Sequence, residues 1–412
     1  MNESSNLSSA PVSSAGRIPE LDGLRGLAIF LVLICHYFVP VGPEHSWFVR
    51  FGYVTHLGTN GVDLFFVLSG FLIGGILLSS RGSATYYRTF YIRRFHRIFP
   101  VYYLWLILFG VATYLAPFWG SFWADKFHSV RPLWTYFLFL QNFSFIPLFY
   151  AFAQAYWLWP MWSLAVEEHF YLVMPLLMRR MTVRRLVYLL LALILISPFI
   201  RAVICKAFAW GPSAALLWTP CRADQLALGV LLAVAWATPA ARRWISDHVA
   251  YFYRAMILFG ATILLFEILF VAEVKYTYAL VIAFERSFVG LFFLCLLVVV
   301  LEQKRSRLAA MARWRFLREL GKISYCVYII HLMMKWVASW VLVHSDPEFR
   351  DWRFLEVALL GYLLTWLVAQ LSWRYIENPL IRRGHDLTSH TKVLRVNNVE
   401  AGEPEIASSV AS

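Results

Sequence analysis

An arginine and a histidine lie on what is predicted to be one face of the first long apolar segment. Arg25 and His36 are eleven positions apart in the segment that begins Leu-Asp-Gly-Leu-Arg-Gly. On an ideal α-helix this separation is about 16 Å of rise and about 20° of rotation, so both side chains point the same way. A single membrane histidine is usually a packed, hydrogen-bonded residue. The arginine on the same face favours a shared polar channel instead.

His36 has the chemistry of a general base if another group orients its ring. A hydrogen bond to one ring nitrogen fixes the tautomer and stabilises the imidazolium that forms when the other nitrogen takes a proton. Asp63, near the start of the second apolar segment, and Glu167, near the start of the fourth, are the two candidates for that partner. Glu167 and Glu168 point about 100° apart on a helix, so at most one of them faces a given site.

A basic cluster precedes the third apolar segment, in the sequence Tyr-Ile-Arg-Arg-Phe-His-Arg-Ile-Phe-Pro. Arg93 and Arg97 are four positions apart and Arg94 follows Arg93, so the three guanidinium groups gather at one end of a helix. Such clusters commonly anchor a protein on anionic lipid. The alternative is a ligand that carries phosphate groups, because the planar guanidinium group suits phosphate oxygens.

Ionisable residues inside apolar segments are functional candidates, because each costs about 3 kcal/mol on insertion scales. The spacing of three polar residues in the apolar run 323–343 places them on one face of a helix: Ser324, Tyr328 and His331. Glu285 and Arg286 are adjacent in the apolar run 279–301, and the hydrophobic pattern of this run offers no physical account of them. The full set of such ionisable residues is Arg25, His36, Asp63, Glu167, Glu168, Asp224, Glu267, Glu285, Arg286 and His331.

The composition makes the bilayer the solvent for most of the chain. Of the 412 residues, 60% are hydrophobic and only 15% are charged, which excludes an ordinary soluble domain. A net charge of +13 would suggest nucleic acid only on a soluble basic domain, and the positive-inside rule accounts for it better. The five cysteines lack CxxC spacing, so neither a disulfide framework nor a metal site is indicated.

Ten apolar runs approach the length of about 20 residues that a membrane helix needs. The arginine clusters between them all fall on one side, the cytoplasm, if the further apolar stretch 133–159 does not cross. We therefore expect this stretch to be a re-entrant or interfacial cap on the outer face. The predicted fold is all-α, a polytopic membrane helix bundle of about ten transmembrane helices with both termini cytoplasmic. The runs are 24–41, 62–78, 98–116, 162–178, 186–203, 226–237, 255–271, 279–301, 323–343 and 354–373.

A single membrane domain is predicted for residues 18–383. Residues 1–17 are rich in serine and asparagine without a charged region beside an apolar core, so we expect a disordered cytoplasmic tail and no signal peptide. Pro379 is expected to stop the last helix. Residues 384–412 are polar and are expected to form a second disordered cytoplasmic tail.

Seven segments together resemble the bacterial acyltransferase-3 family of membrane acyltransferases. They follow the family order over most of the chain, and the most specific pieces are Arg-x10-His and Val-Asp-x-Phe-Phe-x-x-Ser-Gly-Phe. The segments are LDGLRGLAIFLVLICHYF (21–38), GVDLFFVLSGFLI (61–73), YIRRFHRIFPVYYL (91–104), WSLAVEEHFYL (162–172), RADQLALGVLLA (222–233), GKISYCVYIIHL (321–332) and YIENP (375–379).

The resemblance implies an acyl-CoA donor, usually acetyl-CoA, and an acceptor hydroxyl on a glycan or a small molecule. The membrane-embedded histidine of the family corresponds to His36 and the arginine of the same helix to Arg25. The aspartate of the second span corresponds to Asp63, and the glutamate to Glu167. His169 stands where the family usually carries glutamine, a departure that bears on the acceptor contacts.

The interfacial arginines of the family correspond to Arg93, Arg94 and Arg97, which would bind CoA at the cytoplasmic surface. From there the pantetheine arm would run past Arg25 toward His36, so the reaction would occur near the outer leaflet. The resemblance implies a multi-pass protein of the bacterial inner membrane that O-acetylates cell-envelope polysaccharide. It is expected to be of the stand-alone type, without the hydrolase-like domain that some members carry.

Two classes of function are open. The leading one is an O-acyltransferase in which His36, as general base, removes the proton of the acceptor hydroxyl. A covalent acyl-enzyme on Cys35 is a variant of this mechanism. The second class is a transporter or flippase of a glycoconjugate, which the same membrane charges can serve. Inverted repeats with paired broken helices would favour it, and the sequence contains none.

Overall fold

A computed structural model describes residues 18–38, 47–120, 123, 127, 134–144, 156–208, 211–271, 278–347 and 353–388. This part of the chain is helical and has no β-strand, which confirms the predicted all-α class. It contains ten helices of 19 or more residues. They are α1 (Pro19–Tyr37), α2 (Gly61–Ser80), α3 (Tyr86–Leu115), α4 (Met161–Arg180), α5 (Val183–Ala207), α6 (Thr219–Ala237), α7 (Val249–Val271), α8 (Tyr278–Glu302), α9 (Ser324–Val343) and α10 (Arg353–Ser372).

Seven of these helices are long and apolar enough to cross a membrane, which confirms a membrane helix bundle. An eighth candidate, Gly211–Ala237, contains α6 and is bent by 102° relative to the helix Pro239–Asp247 that follows. Helices α1 and α4 fall outside this set and carry acidic residues, Glu20 and Asp22 in α1, and Glu167 and Glu168 in α4. The crossing of α1 and α4 and the cytoplasmic position of both termini stay predictions.

The last helix extends further than the sequence predicted. A π-helical turn, Trp373–Glu377, follows α10, and residues 378–388 are again helical. The expectation that Pro379 stops the helix is therefore wrong, and the helix continues through residues 384–388, where the predicted tail begins. A π-turn bonds each N–H to a carbonyl five residues back, so the register changes where proline lacks its donor. Residues 1–17 and 389–412, the rest of the two predicted tails, lie outside the described residues.

The stretch 133–159 contributes only short helical turns where it is described. These turns are Trp134–Phe137, Gln141–Ser144 and Tyr156–Leu158, while residues 133 and 145–155 lie outside the described part. The hydroxyl of Tyr102 in α3 donates to the backbone carbonyl of Tyr136 at 2.8 Å, and the amide of Gln141 donates to the carbonyl of Met161 in α4 at 2.7 Å. This segment therefore packs on the middle of α3 and on the start of α4.

Helices α2 and α6 approach closely and run parallel. A Cβ atom on Gly70 would overlap the carbonyl oxygen of Leu226, and one on Gly74 would lie 2.9 Å from the Cβ atom of Ala233, so the contacts advance in the same direction along both helices. Only glycine fits the contact at Gly70, and Gly70 and Gly74 have the GxxxG spacing that is typical of closely packed membrane helices. If α3, α4 and α5 each cross once, parallel α2 and α6 require that 133–159 does not cross. The parallel orientation of α2 and α6 therefore agrees with the prediction that 133–159 is a cap on the outer face.

Candidate active site

His36 lies in the last turn of α1 and is hydrogen-bonded to a second histidine, His331 of α9. Its Nδ1 atom is 2.9 Å from the Nε2 atom of His331. The hydroxyl of Tyr37 donates to the backbone carbonyl of His331 at 3.0 Å, and the Nζ atom of Lys335 donates to the backbone carbonyl of His36 at 2.7 Å. The last carbonyls of a helix lack intrahelical partners, so Lys335 caps the end of α1. These contacts fix His36 against α9.

The hydrogen bonds determine which tautomer each histidine adopts when both rings are neutral. The Nδ1 atom of His331 lies 2.8 Å from the backbone carbonyl oxygen of Tyr328. A carbonyl only accepts, so this nitrogen carries the hydrogen and donates it. The Nε2 atom of His331 is then an acceptor, to which the Nδ1–H group of His36 donates. The Nε2 atom of His36 keeps its lone pair, which is the form that a general base requires.

Asp63, one of the two predicted carboxylate partners of His36, forms ion pairs with other residues. The partner of His36 is a histidine, His331, in its place. Asp63 is fully buried. Its Oδ1 atom is 3.0 Å from the Nη2 atom of Arg222, and its Oδ2 atom is 3.2 Å from the Nη1 atom of Arg286. A buried carboxylate is stable only when its charge is paired. Asp63 therefore holds two buried arginines in place.

The adjacent Glu285 and Arg286, which the sequence pattern did not explain, belong to the same network. The Nη1 atom of Arg286 donates to the amide oxygen of Asn60 at 2.7 Å, and its Nη2 atom lies 3.5 Å from Glu285. The amide of Gln225 donates both to Asp63 and to the backbone carbonyl of Arg286. Polar residues of α2, α6 and α8 are thus tied together inside the bundle, where unpaired groups would be costly.

Glu167, the other predicted partner, accepts its hydrogen bonds from different residues. The hydroxyl of Ser69 donates to its Oε1 atom and that of Tyr171 to its Oε2 atom, each at 2.8 Å. The guanidinium carbon of Arg94 lies 5.2 Å from the ring centroid of Tyr171, within cation–π range. Glu167 therefore lies near the arginine cluster and does not orient His36.

Three cavities follow one another between the arginine cluster and His36. The inner cavity, of about 330 Å³, and the middle cavity, of about 90 Å³, share Arg25, Arg94 and Arg97 in their walls. The middle cavity and the outer cavity, of about 240 Å³, share Tyr328. His36 lines the outer cavity. The three cavities thus adjoin one another in order from the arginines to the histidine.

Only two of the three predicted donor-binding arginines line the cavities. Arg94 and Arg97 line the inner and middle cavities together with Arg25. Arg93 is exposed and is absent from the walls of these cavities, and its Nε atom donates to the hydroxyl of Thr388 at 2.9 Å. Residues three apart on a helix share a face more closely than adjacent ones. The cavity therefore favours Arg94 and Arg97 over Arg93 as ligands of an anion.

The predicted face of α9 meets the cavities. Ser324 and Tyr328 line the middle cavity, and His331 contacts His36. Sequence reasoning singled out His331 as an ionisable membrane residue but missed its partner, because the two histidines are 295 positions apart. It also missed Arg222 of α6, which lines the outer cavity. The position of Arg222 at the start of an apolar run is the signal that would have identified it.

The comparison with known families agrees with the sequence resemblance. The family model described as "Acyltransferase domain" matches residues 18–374, which is most of the chain. The chain belongs to the acyltransferase-3 family. No solved structure matches the chain.

Curated relatives in the acyltransferase-3 family are O-acetyltransferases by name. The chain is 29% identical over 377 residues to the peptidoglycan O-acetyltransferase OatA of Listeria monocytogenes, covering 89% of this chain and 56% of the relative. It is 28% identical over 381 residues to the putative peptidoglycan O-acetyltransferase YrhL of Bacillus subtilis, covering 89% and 55%. It is 27% identical over 385 residues to the O-acetyltransferase OatA of Staphylococcus aureus, covering 89% and 58%. The chain therefore spans little more than half the length of these relatives.

His169, the departure from the usual acyltransferase-3 sequence, lies outside the walls of the three cavities. Its Nδ1 atom is 2.7 Å from the hydroxyl of Thr219, and its ring stacks on Phe143 with centroids 5.5 Å apart. The amide of Asn142 donates to the same Thr219 hydroxyl at 3.0 Å. The histidine thus joins α4 to the start of α6 and to the short helix Gln141–Ser144.

Proposed function

We propose that the protein is a membrane O-acyltransferase that moves an acyl group, acetyl in the leading case, from acyl-CoA to a hydroxyl of a glycan. The observation that carries the proposal is the outer cavity, which His36 lines and which adjoins the cavities of the arginine cluster. The hydrogen bonds of His36 and His331 leave the Nε2 atom of His36 free to accept a proton. Membership of the acyltransferase-3 family supports the same reaction class.

In the proposed reaction His36 acts as general base. The acceptor hydroxyl gives its proton to the Nε2 atom of His36 while its oxygen attacks the thioester carbonyl carbon. The carbonyl π electrons move to oxygen and form a tetrahedral oxyanion. Collapse of this intermediate breaks the carbon–sulfur bond, and the leaving thiolate takes the proton back from His36. The neutral ring of His331 accepts a hydrogen bond from the imidazolium, which stabilises the charge without an adjacent carboxylate.

The donor is proposed to enter at the arginine cluster. CoA phosphates would bind Arg94 and Arg97, whose forked donors suit phosphate oxygens, with Arg25 further along the path. The neutral pantetheine arm would extend through the middle cavity. Glu167 lines this middle cavity, and we assign it the positioning of the polar groups there. Asp63 is proposed to act indirectly, by holding Arg222 and Arg286.

The acceptor is proposed to be a glycan of the cell envelope, because two curated relatives are named for peptidoglycan. The rings of Trp159 and Trp162 line the outer cavity beside His36. Aromatic rings supply a large apolar contact area, and the faces of a sugar ring carry apolar C–H groups. The free Nε2 atom of His36 would then meet a hydroxyl of the bound sugar.

The test is acyl transfer by the purified protein in lipid nanodiscs. Acetyl-CoA labelled in the acetyl group is supplied with peptidoglycan fragments, and mass spectrometry locates the label. We expect an O-acetylated fragment, with transfer reduced by a factor of about 10² or more in His36→Ala. His248→Gln is the matched control, because this histidine packs on Trp244 and lies outside the three cavities.

Two results would contradict parts of the proposal. Full transfer by well-folded His36→Ala would remove the histidine as base. Transfer from another activated acyl donor, with none from acetyl-CoA under the same conditions, would keep the O-acyltransferase and exclude acyl-CoA as the donor.

A further inference from the structure

The Nη2 atom of Arg222 is paired with Asp63, whereas its Nε and Nη1 atoms are unused hydrogen-bond donors. Its side chain is 3% exposed, and its Nη2 atom lies 3.0 Å from Asp63. Its guanidinium carbon is 5.3 Å from the ring centroid of Phe66 and 5.5 Å from that of Trp162. Among the described residues its Nε and Nη1 atoms have no hydrogen-bond partner, although both are buried. Buried donors are normally paired, so unpaired ones at a cavity wall indicate a ligand.

Arg222 lies in the wall of the cavity that contains the proposed base. Arg222 and His36 both line the outer cavity. Arg286 also lines it, but this arginine is engaged by Asn60, Asp63 and Glu285 and has only its Nε atom unpaired. Arg222 therefore offers the largest set of unpaired N–H groups beside His36 within the described part of the chain.

We infer that Arg222 is a catalytic residue whose unpaired Nη1–H group binds the oxyanion of the tetrahedral intermediate. This inference rests on the proposed function, because attack on a thioester moves the carbonyl electrons to oxygen. A fixed donor in a site without bulk water stabilises that charge and needs no rearrangement during the reaction. Asp63 and the two aromatic rings supply the fixed position. Asp63 is then a positioning residue for Arg222.

Other cations near His36 are less suited to this role. The ammonium group of Lys335 is engaged by the backbone carbonyl of His36. His56 lines the outer cavity, but 47% of its side chain is exposed and it lies 3.6 Å from Glu267. Water competes for donors on an exposed group, which weakens their effect on a developing charge.

The test compares lysine substitutions at two buried arginines. Arg222→Lys keeps a positive charge opposite Asp63 but removes the Nη1–H donor and the planar guanidinium group. Arg201→Lys is the control, because Arg201 of α5 is also buried and paired with an aspartate, Asp224 at 2.9 Å, but lies outside the walls of the outer cavity. We expect Arg222→Lys to lower kcat by about 10² to 10³ with both KM values retained. Arg201→Lys should lower thermal stability and keep kcat near wild type per folded molecule.

A binding measurement separates an oxyanion donor from a structural residue. A phosphonate donor analogue imitates the tetrahedral intermediate, whereas a ketone analogue, with CH₂ in place of the thioester sulfur, imitates the ground state. Arg222→Lys should weaken the phosphonate by about 10² or more and leave the ketone nearly unchanged, because only the former presents the charged oxygen. Arg222→Gln, which retains an N–H donor for Asp63, serves in the same assay if the lysine variant does not fold.

Three outcomes would overturn the inference. An unchanged kcat in folded Arg222→Lys would exclude the role. Equal weakening of both analogues would assign Arg222 to ground-state binding or packing. A rise in acceptor KM with full kcat at saturation would make Arg222 a site for an anionic group of the acceptor. His36→Ala is measured alongside: if it is inactive while Arg222→Lys is active, only this inference fails, and if it is active the proposed function fails.

Discussion

The Nε2 atom of His331 accepts from the Nδ1–H group of His36 across 2.9 Å, and the Nδ1–H group of His331 donates to the backbone carbonyl of Tyr328. This chain of hydrogen bonds therefore ends on the carbonyl oxygen of Tyr328, which can only accept a hydrogen bond. In many hydrolases an ionised carboxylate performs this orienting role. Inside a membrane bundle a lone carboxylate is expensive to bury, whereas a neutral imidazole fixes the same tautomer without a net charge.

The first prediction concerns this histidine pair. His331→Ala should lower kcat by about 10-fold to 10²-fold, the usual effect of losing an orienting partner, because His36 loses its acceptor. His331→Gln should retain more activity than His331→Ala, since its amide oxygen can accept from the Nδ1–H group. The measurement is acyl transfer at saturating donor and acceptor.

A double-mutant cycle is the control for this prediction. If His331 acts only through His36, His331→Ala should cause no further loss in a His36→Ala background. Fully additive losses would show that His331 acts independently, for example on the packing of α1 against α9.

The second prediction separates the arginines of α3. Arg94→Lys and Arg97→Lys should raise the apparent KM for acyl-CoA, because lysine keeps the charge but loses the two-pronged contact with phosphate. Arg93→Lys should behave like Arg88→Lys, since both residues are exposed and lie outside the cavity walls. The readout is initial rate against donor concentration. An unaltered KM in the Arg94→Lys, Arg97→Lys double variant would leave the pair as a membrane anchor only.

The third prediction concerns the crossing of α2 and α6. Gly70→Ala and Gly229→Ala should each destabilise the protein by about 1–3 kcal/mol, because the added Cβ atom overlaps a backbone carbonyl that cannot move aside alone. Gly110→Ala in α3 is the control, since no atom lies within 4 Å of its added Cβ. It should be neutral or stabilising, as alanine favours helix. Melting temperatures of the three variants in one detergent measure the difference, and equal values would contradict the close approach.

The fold class could be predicted from the sequence because hydropathy and helical period are properties of one segment at a time. The same period placed Arg25 and His36 on one face of α1, and both line the path of cavities. The end of α10 was mispredicted because the π-turn before Pro379 has no recognised signal in the local sequence.

The partner of His36 could not be predicted, because it depends on how three helices rotate about their axes. Asp63 is buried in α2, and Glu167 is partly buried in α4. Asp63 instead turns toward Arg222, and Glu167 toward Ser69 and Tyr171. Rotation of a packed helix follows from side-chain contacts with its neighbours, which spacing within one segment does not encode.

The last prediction is that acyl transfer is vectorial. The arginine cluster belongs to the end predicted to be cytoplasmic by charge bias, and His36 lies at the opposite end of α1. Moving a whole anionic cofactor through hydrocarbon costs far more than extending its neutral arm along a protein path. In proteoliposomes of known orientation, acyl-CoA supplied only on the arginine side should acylate an impermeant glycan supplied only on the other side. Product that forms only when donor and acceptor share a side would exclude transfer along the cavities, even if His36 is still the base.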